Sequence, residues 1–402
     1  MKIVLFANTD WYLYNFRRSL ALALRDAGHQ LLLLSPPGPY GEKLQALGLR
    51  WEPLPMERRS LNPLREIGLL RHLVRVLRRE RPALVHGFTI KCAVYGSLAA
   101  RMAGVPARVN AVAGMGYVFT SSDLKARLLR PVVRGLLRLA LDGESARLIL
   151  QNSDDIALFE KAGLIDPARI RLIRGSGVDC ARFTQRSGVR AAGPLRVLLA
   201  ARLLWDKGLQ EYVTAARQLL TEGRAIHFLL AGDPDPGNPA AVPESTVQFW
   251  VNEGLMTWLG HVDDMVGLLS SADVVVLPSY REGLPKTLIE AAACGLPLIT
   301  ADVPGCREVV TDGVDGLLVP VRDGDALADA IRRLQDDPAL ARRLGEAARM
   351  KAHAEFDEQI VVRRTVDVYR ELCGPVAVPV LKVDASRGGA VLSPSPSGRG
   401  LG

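Results

Sequence analysis

The 402-residue sequence contains little cysteine and no long apolar run. Its five cysteines form no CxxC pair, which disfavours a disulfide framework or a zinc site and suits a reducing cytosol. No segment reaches the roughly 20 apolar residues that a membrane-spanning helix needs. The opening MKIVLFANTD has too short an apolar run for a signal peptide and predicts a first β-strand instead. We therefore expect a cytoplasmic protein.

The sequence also lacks several signatures of cofactor and metal binding. No G-x-G-x-x-G follows the first predicted strand, which disfavours a Rossmann dehydrogenase. Asp263 and Asp264 stand at the start of a predicted helix, where they are better interpreted as an N-cap than as a Mg²⁺-binding D-x-D pair. We expect neither a bound metal nor a cofactor.

Basic residues are concentrated in the first half of the chain. Residues 1–180 contain 27 Lys and Arg against 15 Asp and Glu, whereas the remainder contains 24 against 28, within a formal net charge of +8. This asymmetry predicts that the first half faces an anionic partner. No nucleic-acid-binding motif accompanies the charge, so we do not expect that partner to be nucleic acid.

Strand and helix patterns alternate along almost the whole chain, beginning with KIVLFA and FRRSLALALRDAG. This alternation predicts an α/β protein with two doubly wound parallel sheets and a cleft between them. VQFWV, residues 247–251, is among the strands predicted in the second half. The expected units are a first domain over 1–180, a linker over 181–194, a second domain over 195–355, a C-terminal helix over 356–373 that can cross back to the first domain, and a disordered tail over 374–402.

The segment REGLPKTLIE combines two glutamates with a predicted change from strand to helix. The apolar run ADVVVLPSY before it predicts a buried parallel strand, and the residues after Pro285 have helical composition. Glu282 therefore lies in a loop at the carboxyl end of a strand, and Glu290 lies near the second turn of the next helix. Open α/β sheets bind their ligands at this edge.

These positions suit a nucleotide-sugar. A carboxylate can accept hydrogen bonds from neighbouring sugar hydroxyls, and each such bond contributes about 1.5–3 kcal/mol. The free N–H groups at the helix start, around Thr287 and Leu288, can bind phosphate. Sugar hydroxyls, diphosphate and ribose hydroxyls would then meet Glu282, the helix start and Glu290 in that order.

A second segment, AARLLWDKGLQEYV, supplies two cations for the same edge. Arg202 ends the first strand of the second domain, and Lys207 precedes the next helix. A diphosphate leaving group gains negative charge as its bond to the sugar breaks, and fixed cations stabilise that charge. Arg202 and Lys207 would thus take the place of a metal ion.

The segments REGLPKTLIE and ARLLWDKG resemble the retaining glycosyltransferases of the GT-B fold, specifically family 4. The signature of that family is a pair of glutamates with seven residues between them, E-x7-E, together with an Arg and a Lys from the preceding segment. The resemblance extends from Met1 to about Cys373 and includes NSDD, RIRLIRGSGVD and PGCREVVTDGVDGLLVP. It implies the GT-B architecture, in which two Rossmann-like domains face an interdomain cleft.

The resemblance also implies a role for each matching residue. Glu282 would contact the transferred sugar, and Glu290 would hold the ribose hydroxyls. Arg202 and Lys207 would hold the diphosphate together with the N–H groups at the helix start. His261, in the WLGHVDD turn, would approach the uracil. Retention is attributed in this family to front-face attack, in which the leaving phosphate helps to deprotonate the acceptor, so no enzymic nucleophile is required.

The chain departs from the family pattern at one point. Many members place a functional His after a strand of the first domain, but the corresponding stretch RVNAVAGMGYVF has none. Gly114 and Gly116 can bring backbone N–H groups near the sugar instead, or they can form a structural turn only. His86, at the end of ALVHG, is either an alternative polar contact or a histidine satisfied at a strand end.

Taken with the resemblance, these features predict a retaining, metal-independent glycosyltransferase with a UDP-linked donor, an N-acetylhexosamine being the sugar favoured. The subgroup features GMGYVF and IRGSGVD imply a polyprenyl-diphosphate-linked acceptor, used for a surface polysaccharide such as O-antigen or capsule, or for a glycoprotein glycan. The alternative is a UDP-N-acetylglucosamine 2-epimerase, which shares the architecture. That enzyme would need a histidine-rich acid–base set, and the whole chain has six His.

The segment LKARLLRPVVRGLLRLAL predicts a basic amphipathic helix in the first domain. Arg127, Arg130, Arg134 and Arg138 recur at steps of three and four residues, opposite Leu and Val. Such a helix suits attachment to anionic lipid, which would place the protein at the inner face of the plasma membrane. The alternative is a helix packed on its domain with the arginines in water.

Overall fold

The computed structural model describes residues 1–57, 60, 62–112, 124–141, 143–185, 193–235 and 237–376. Gly114 and Gly116, expected near the sugar, lie outside the described residues, and so does the tail from 377 to 402.

The described strands of the first domain form a seven-stranded parallel sheet in the order β3-β2-β1-β4-β5-β6-β7. Neighbouring strands pair in parallel throughout, for example Ile3 with Leu31 and Ile3 with Leu84. The strands are β1 (Lys2–Phe6), β2 (Gln30–Ser35), β3 (Trp51–Pro53), β4 (Leu84–Phe88), β5 (Ala107–Ala111), β6 (Ala146–Leu150) and β7 (Ile170–Leu172).

The second domain repeats this plan with a six-stranded parallel sheet in the order β10-β9-β8-β11-β12-β13. Its strands are β8 (Leu195–Ala200), β9 (Ile226–Ala231), β10 (Thr257–Trp258), β11 (Val274–Leu277), β12 (Leu298–Ala301) and β13 (Leu317–Val319). The strand order reverses between β1 and β4 in the first sheet and between β8 and β11 in the second. Such switch points leave a crevice at the carboxyl ends of the strands. The predicted pair of doubly wound parallel sheets is confirmed.

Helices cover both faces of each sheet. Those of the first domain are α1 (Asp10–Phe16), α2 (Arg18–Asp26), α3 (Gly41–Ala46), α4 (Pro63–Glu80), α5 (Ile90–Ala103), α6 (Leu124–Leu141) and α7 (Ser153–Lys161). Those that follow are α8 (Leu209–Thr221), α9 (Glu244–Asn252), α10 (Met265–Ser270), α11 (Lys286–Ala293), α12 (Cys306–Val309), α13 (Gly324–Asp336), α14 (Pro338–Lys351) and α15 (Glu358–Cys373).

The strands are apolar on both faces because helices cover both sides of each sheet. In β8, Val197 and Leu199 pack in one layer with Tyr212 of α8, whereas Leu198 packs in the opposite layer with Leu288 of α11. A parallel sheet buried on both faces therefore appears in the sequence as a continuous hydrophobic run rather than as an alternating one.

The last helix, α15, returns to the first domain. Tyr369 of α15 is fully buried there, and its hydroxyl lies 2.7 Å from Nδ1 of His86 on β4. The described part of the chain thus passes between the domains twice, once before β8 and once before α15. Two crossings restrain the relative position of the domains more than a single linker would.

The prediction of a strand over VQFWV is wrong, because these residues lie in α9. Val247 and Trp250 are buried, whereas Phe249 between them is 56% exposed. A spacing of three residues puts the buried pair on one helical face. The β-branched and aromatic composition favoured a strand, and packing of this face against the second core overrides that preference.

Candidate active site

The loop after β11 holds Glu282 in a compact polar cluster. Its Oε1 accepts hydrogen bonds from Ser279 Oγ at 2.7 Å and from Lys207 Nζ at 2.5 Å. The side chains of Lys207 and Glu282 are only 17% and 11% exposed. Little water screens a pair that is this enclosed, so its electrostatic attraction is stronger than that of a surface pair. The sequence placed both residues at this sheet edge, and the structure brings them into contact.

Gly208 brings the segment that carries Lys207 against the end of β11. Its φ of 76° lies in the left-handed region, and an added Cβ would lie 2.2 Å from the carbonyl oxygen of Pro278. Any side chain here would push the two segments apart, so the contact requires glycine. Because the sheet order reverses between β8 and β11, Lys207 and Glu282 meet at the switch point.

Glu290 lies on α11 and is nearly buried. Burial raises the pKa of its carboxyl, and the neighbouring cations Lys286 and Arg182 oppose that rise. Lys286 Nζ lies 3.6 Å from Glu290 Oε1, one helical turn away. The same ammonium donates to the carbonyl oxygen of Asn15 in the first domain at 3.0 Å. Lys286 therefore contacts both domains and favours the charged form of Glu290.

The start of α11 offers backbone donors to an anion. No side chain caps this helix, and Ile289 N–H reaches the carbonyl oxygen of Pro285 only at 3.4 Å. The N–H groups of Thr287 and Leu288 precede that bond and have no acceptor within the helix. They lie at the positive end of the helix dipole. The side chain of Leu288 is fully buried, so only its backbone can contribute.

Arg202 and His261 are exposed, and each has an acidic neighbour of its own. Arg202 Nη1 donates to Asp235 Oδ2 at 2.8 Å, and the arginine side chain is 55% exposed. His261 Nε2 lies 3.3 Å from Asp263 Oδ1, with 61% of the imidazole side chain exposed. Both residues follow carboxyl ends of strands in the second sheet. The structure thus places them at the expected edge but outside the buried pair.

A cavity of about 360 Å³ lies between the domains, a size within the usual range of small-molecule sites. Asp263, Lys286 and Glu290 line it from the second domain. Aromatic and basic residues line it from the first domain, together with Asn15: Tyr14, Arg18, Tyr40 and Lys43. Sequence reasoning missed this wall, because its members come from separate segments that match no motif. The one signal was their position after the carboxyl ends of β1 and β2.

His86 lies in the core rather than in this cavity. It is 1% exposed, and its ring lies 4.1 Å from the ring of Phe88. Burial and, to a lesser degree, the charge of Arg17 hold its pKa well below the usual value, so the imidazole is neutral. Its Nδ1 lies within hydrogen-bond distance of the Tyr369 hydroxyl, whereas its Nε2 is buried without a hydrogen-bond partner. His86 is therefore a core residue and not a polar contact in the cavity.

The described residues contain neither a membrane span nor a metal cluster. None of their helices is long and apolar enough to cross a membrane, and no group of three or more His, Cys, Asp and Glu in them is arranged to hold an ion. Four of the five cysteines are buried, and all five are free thiols.

The fold defines a class: a two-domain α/β protein in which each parallel sheet has a switch point and a cavity lies between the domains. The family model described as glycosyl transferases group 1 matches residues 194–337, and the model described as glycosyl transferase 4-like matches residues 2–153. These matches cover both domains, and the chain belongs to the family-4-like glycosyltransferases. The resemblance based on the two glutamates is confirmed.

Curated relatives agree with the family assignment. The chain is 29% identical over 380 residues to an N,N′-diacetylbacillosaminyl-diphospho-undecaprenol alpha-1,3-N-acetylgalactosaminyltransferase of Campylobacter jejuni, covering 92% of this chain and 98% of that protein. It is also 29% identical over 293 residues to a UDP-Gal:alpha-D-GlcNAc-diphosphoundecaprenol alpha-1,3-galactosyltransferase of Escherichia coli, covering 70% and 74%. These relatives favour glycosyltransfer over the 2-epimerase alternative.

A solved structure shares the fold over nearly the whole chain. The crystal structure of HepE from Anabaena in complex with UDP matches with a TM-score of 0.75 at 20% identity, covering 92% of this chain and 100% of that one. At this identity the likeness concerns the fold alone, and it confirms the GT-B architecture.

Proposed function

We propose that this glycosyltransferase moves a sugar, an N-acetylhexosamine, from a UDP-linked donor to a polyprenyl-diphosphate-linked glycan, with retention and without a metal ion. The observation that carries the proposal is the enclosed Lys207–Glu282 pair beside the uncapped start of α11. Around one sheet edge, Glu282 can accept hydrogen bonds from the donor sugar and the N–H groups at the start of α11 can bind phosphate. Glu290 can accept hydrogen bonds from the ribose hydroxyls.

In this proposal the donor replaces contacts that the protein makes with itself. Lys207 and Glu282 neutralise each other through their hydrogen bond. A donor sugar would offer its hydroxyls to Glu282, and the diphosphate would accept from Lys207, from the N–H groups of Thr287 and Leu288, and from the exposed Arg202. Each charged group thereby keeps a partner, so little uncompensated charge is buried when the donor binds.

The transfer step follows from where charge develops. As the bond between the sugar and the diphosphate breaks, negative charge grows on the UDP oxygen, and Lys207, Arg202 and the α11 dipole stabilise it. That oxygen would take the proton of the acceptor hydroxyl as the hydroxyl oxygen bonds to the same face of the sugar. Glu290 and His261 would hold the nucleoside and take no part in the proton transfer.

The acceptor assignment has two supports. The Campylobacter jejuni and Escherichia coli relatives are both named for sugars linked to diphospho-undecaprenol. The first domain carries the excess of basic charge, and Arg134 and Arg138 of α6 are exposed. We therefore propose that the protein works at the inner face of the plasma membrane, bound through this domain to anionic lipid.

The test is a transfer assay with a panel of UDP-sugars and a synthetic polyprenyl-diphosphate-linked N-acetylglucosamine acceptor, with and without EDTA. Mass spectrometry reads the product mass, and NMR reads the linkage configuration and any epimerised UDP-sugar. We expect one glycosylated product, with an α-linkage from an α-linked donor, at a rate that EDTA leaves nearly unchanged. A strict Mg²⁺ requirement would overturn the metal-free assignment. A new UDP-sugar formed without acceptor would favour the epimerase.

A further inference from the structure

We propose that Asn152, in the first domain, is a positioning residue for the Glu282 loop of the second domain. The inference rests on the proposed function, because it assigns Asn152 an effect on how Glu282 meets the donor sugar. Asn152 is fully buried and lies two residues after β6, immediately before α7.

The amide of Asn152 serves both domains at once. Its Oδ1 accepts from the N–H of Asp155 at 2.7 Å, which caps α7. Its Nδ2 donates to Asp155 Oδ2 at 3.0 Å and to the carbonyl oxygen of Gly283 at 2.8 Å. Both amide hydrogens are therefore used, and one of them fixes the carbonyl group of Gly283, the residue directly after Glu282. This bond is partly buried, and its loss is costly because the carbonyl would remain without its partner.

The same loop is enclosed from other sides. A Cβ on Gly305 would lie 2.6 Å from the carbonyl oxygens of Glu282 and Gly283, so the second domain leaves no free space there. A Cβ on Gly175 of the first domain would lie 2.7 Å from Leu284 Cδ2. Because both domains pack against the loop, the position of its backbone depends on how the two domains are placed against each other.

Neighbouring interdomain contacts have a different character. Arg307 Nη2 and Asp154 Oδ1 form an ion pair at 3.2 Å in which both side chains are about two-fifths exposed. Such exposed pairs hold surfaces together weakly. The side-chain hydrogen bonds of Arg307 go to Asp302 and Asp154 and not to the Glu282 loop, so this pair offers a control for general loosening of the interface.

The substitution Asn152→Ser separates the two tasks of the amide. Serine is as good an N-cap as asparagine, so α7 keeps its cap. The shorter hydroxyl cannot also donate to Gly283. We expect kcat with the intact UDP-sugar to fall about 10- to 100-fold, because a displaced Glu282 would misplace the sugar that it holds. UDP affinity by calorimetry should stay within about twofold, since Glu290 and the α11 start are untouched, and Asp154→Asn should match wild type in both measurements.

Two further measurements make the test specific. In a double-mutant cycle, Asn152→Ser should lower kcat much less in the Glu282→Gln background than in wild type. Both substitutions act on the same contact, that between Glu282 and the donor sugar. Amide hydrogen exchange over residues 280–284 should rise in Asn152→Ser without donor and stay unchanged in Asp154→Asn. Unchanged exchange in Asn152→Ser, additive effects in the cycle, or an equal loss of UDP affinity would overturn the inference. Wild-type protein inactive with every donor would instead overturn the proposed function, and the exchange result would still decide on Asn152.

Discussion

The two domains share one topology but differ in the side chains that lie near the switch point of each sheet. In the second domain the crevice holds charged residues in pairs: Lys207 with Glu282, and Lys286 with Glu290. In the first domain, basic side chains lie over aromatic rings at the cavity wall, with Lys43 4.6 Å from the ring centre of Tyr40. A sheet edge fixes where a ligand can lie, and the loops on that edge decide what is bound there.

This difference suits a division of labour. Paired charges can be exchanged for the charges and hydroxyls of a donor, which the second domain would bind. In the first domain, cationic side chains interact with the faces of aromatic rings and depend less on acidic partners. This wall would cover the donor from the acceptor side. Lys286 connects the two sets of side chains, because it donates a hydrogen bond to the carbonyl oxygen of Asn15 across the cleft.

The largest expected effect comes from removing Lys207, the cation of the Lys207–Glu282 pair in the second domain. Lys207→Ala should lower turnover about 10²–10³-fold, because this ammonium faces the charge that develops on the leaving diphosphate. Steady-state transfer with the best UDP-sugar measures the loss, and thermal unfolding checks that the variant is folded. Arg202→Ala should lower turnover as well.

The control for both variants is Arg217→Ala, which breaks an exposed ion pair with Glu253 on the same domain. Its turnover should equal that of wild type. If Lys207→Ala were as active as Arg217→Ala, the diphosphate assignment would fail.

The sequence could predict the second-domain site better than the first. Glu282, the α11 start and Glu290 lie within one contiguous segment, so strand and helix signals placed them correctly relative to each other. The bond between Lys207 and Glu282 joins residues 75 positions apart, and the sequence indicated only their common edge. Pairing of side chains depends on how closely the loops approach, which here follows from Gly208.

The first-domain wall could not be predicted in the same way. Tyr14 and the pair Tyr40 and Lys43 come together through folding of two separate segments, and neither segment carries a motif. Asn152 belongs to NSDD, which the family resemblance covered, yet its contact with Gly283 depends on how the domains meet. Arg202 was expected beside the diphosphate, and whether it leaves Asp235 for that anion is decided by binding rather than by the fold.

The next effect concerns the basic charge that distinguishes the first domain. Arg134 and Arg138 on α6 are exposed, and each basic residue near an anionic membrane contributes about 1 kcal/mol. Changing both to Gln should therefore weaken binding to phosphatidylserine-containing vesicles about 30-fold, and adding Arg127→Gln and Arg130→Gln should release the protein. Sedimentation with vesicles at several salt concentrations measures this.

The matched control changes Arg217 and Arg342, exposed basic residues of the second domain, to Gln. It should leave vesicle binding unchanged, and all these variants should transfer sugar normally to a short water-soluble acceptor. Equal sedimentation of the quadruple variant and wild type would make α6 a packed surface helix and nothing more.

A smaller effect separates the two glutamates. Glu290→Gln should weaken UDP binding about tenfold, because a charged hydrogen bond to the ribose becomes a neutral one. Glu282→Gln should spare UDP affinity and lower transfer from the intact donor. Calorimetry with UDP, followed by kinetics with the UDP-sugar, distinguishes the two variants. Equal UDP losses in both would contradict the order of sugar and ribose along this segment.

The smallest effect is on stability and depends on pH. Burial raises the pKa of Glu290 in the folded protein above its unfolded value. Well below both values the carboxyl is protonated in either state and costs nothing. As the pH rises between them, the unfolded state ionises first, so wild type loses stability, and the loss is complete above the folded pKa. Glu290→Gln has no such loss, so its Tm should exceed that of wild type by a few degrees near pH 8, with the difference vanishing near pH 4. In a Lys286→Met background, the Tm difference near pH 8 between Glu290 and Glu290→Gln should be larger, because Lys286 opposes the rise in the pKa of Glu290. A Tm difference that is the same at pH 4 and pH 8 would mean that packing, and not the buried charge, distinguishes this carboxylate.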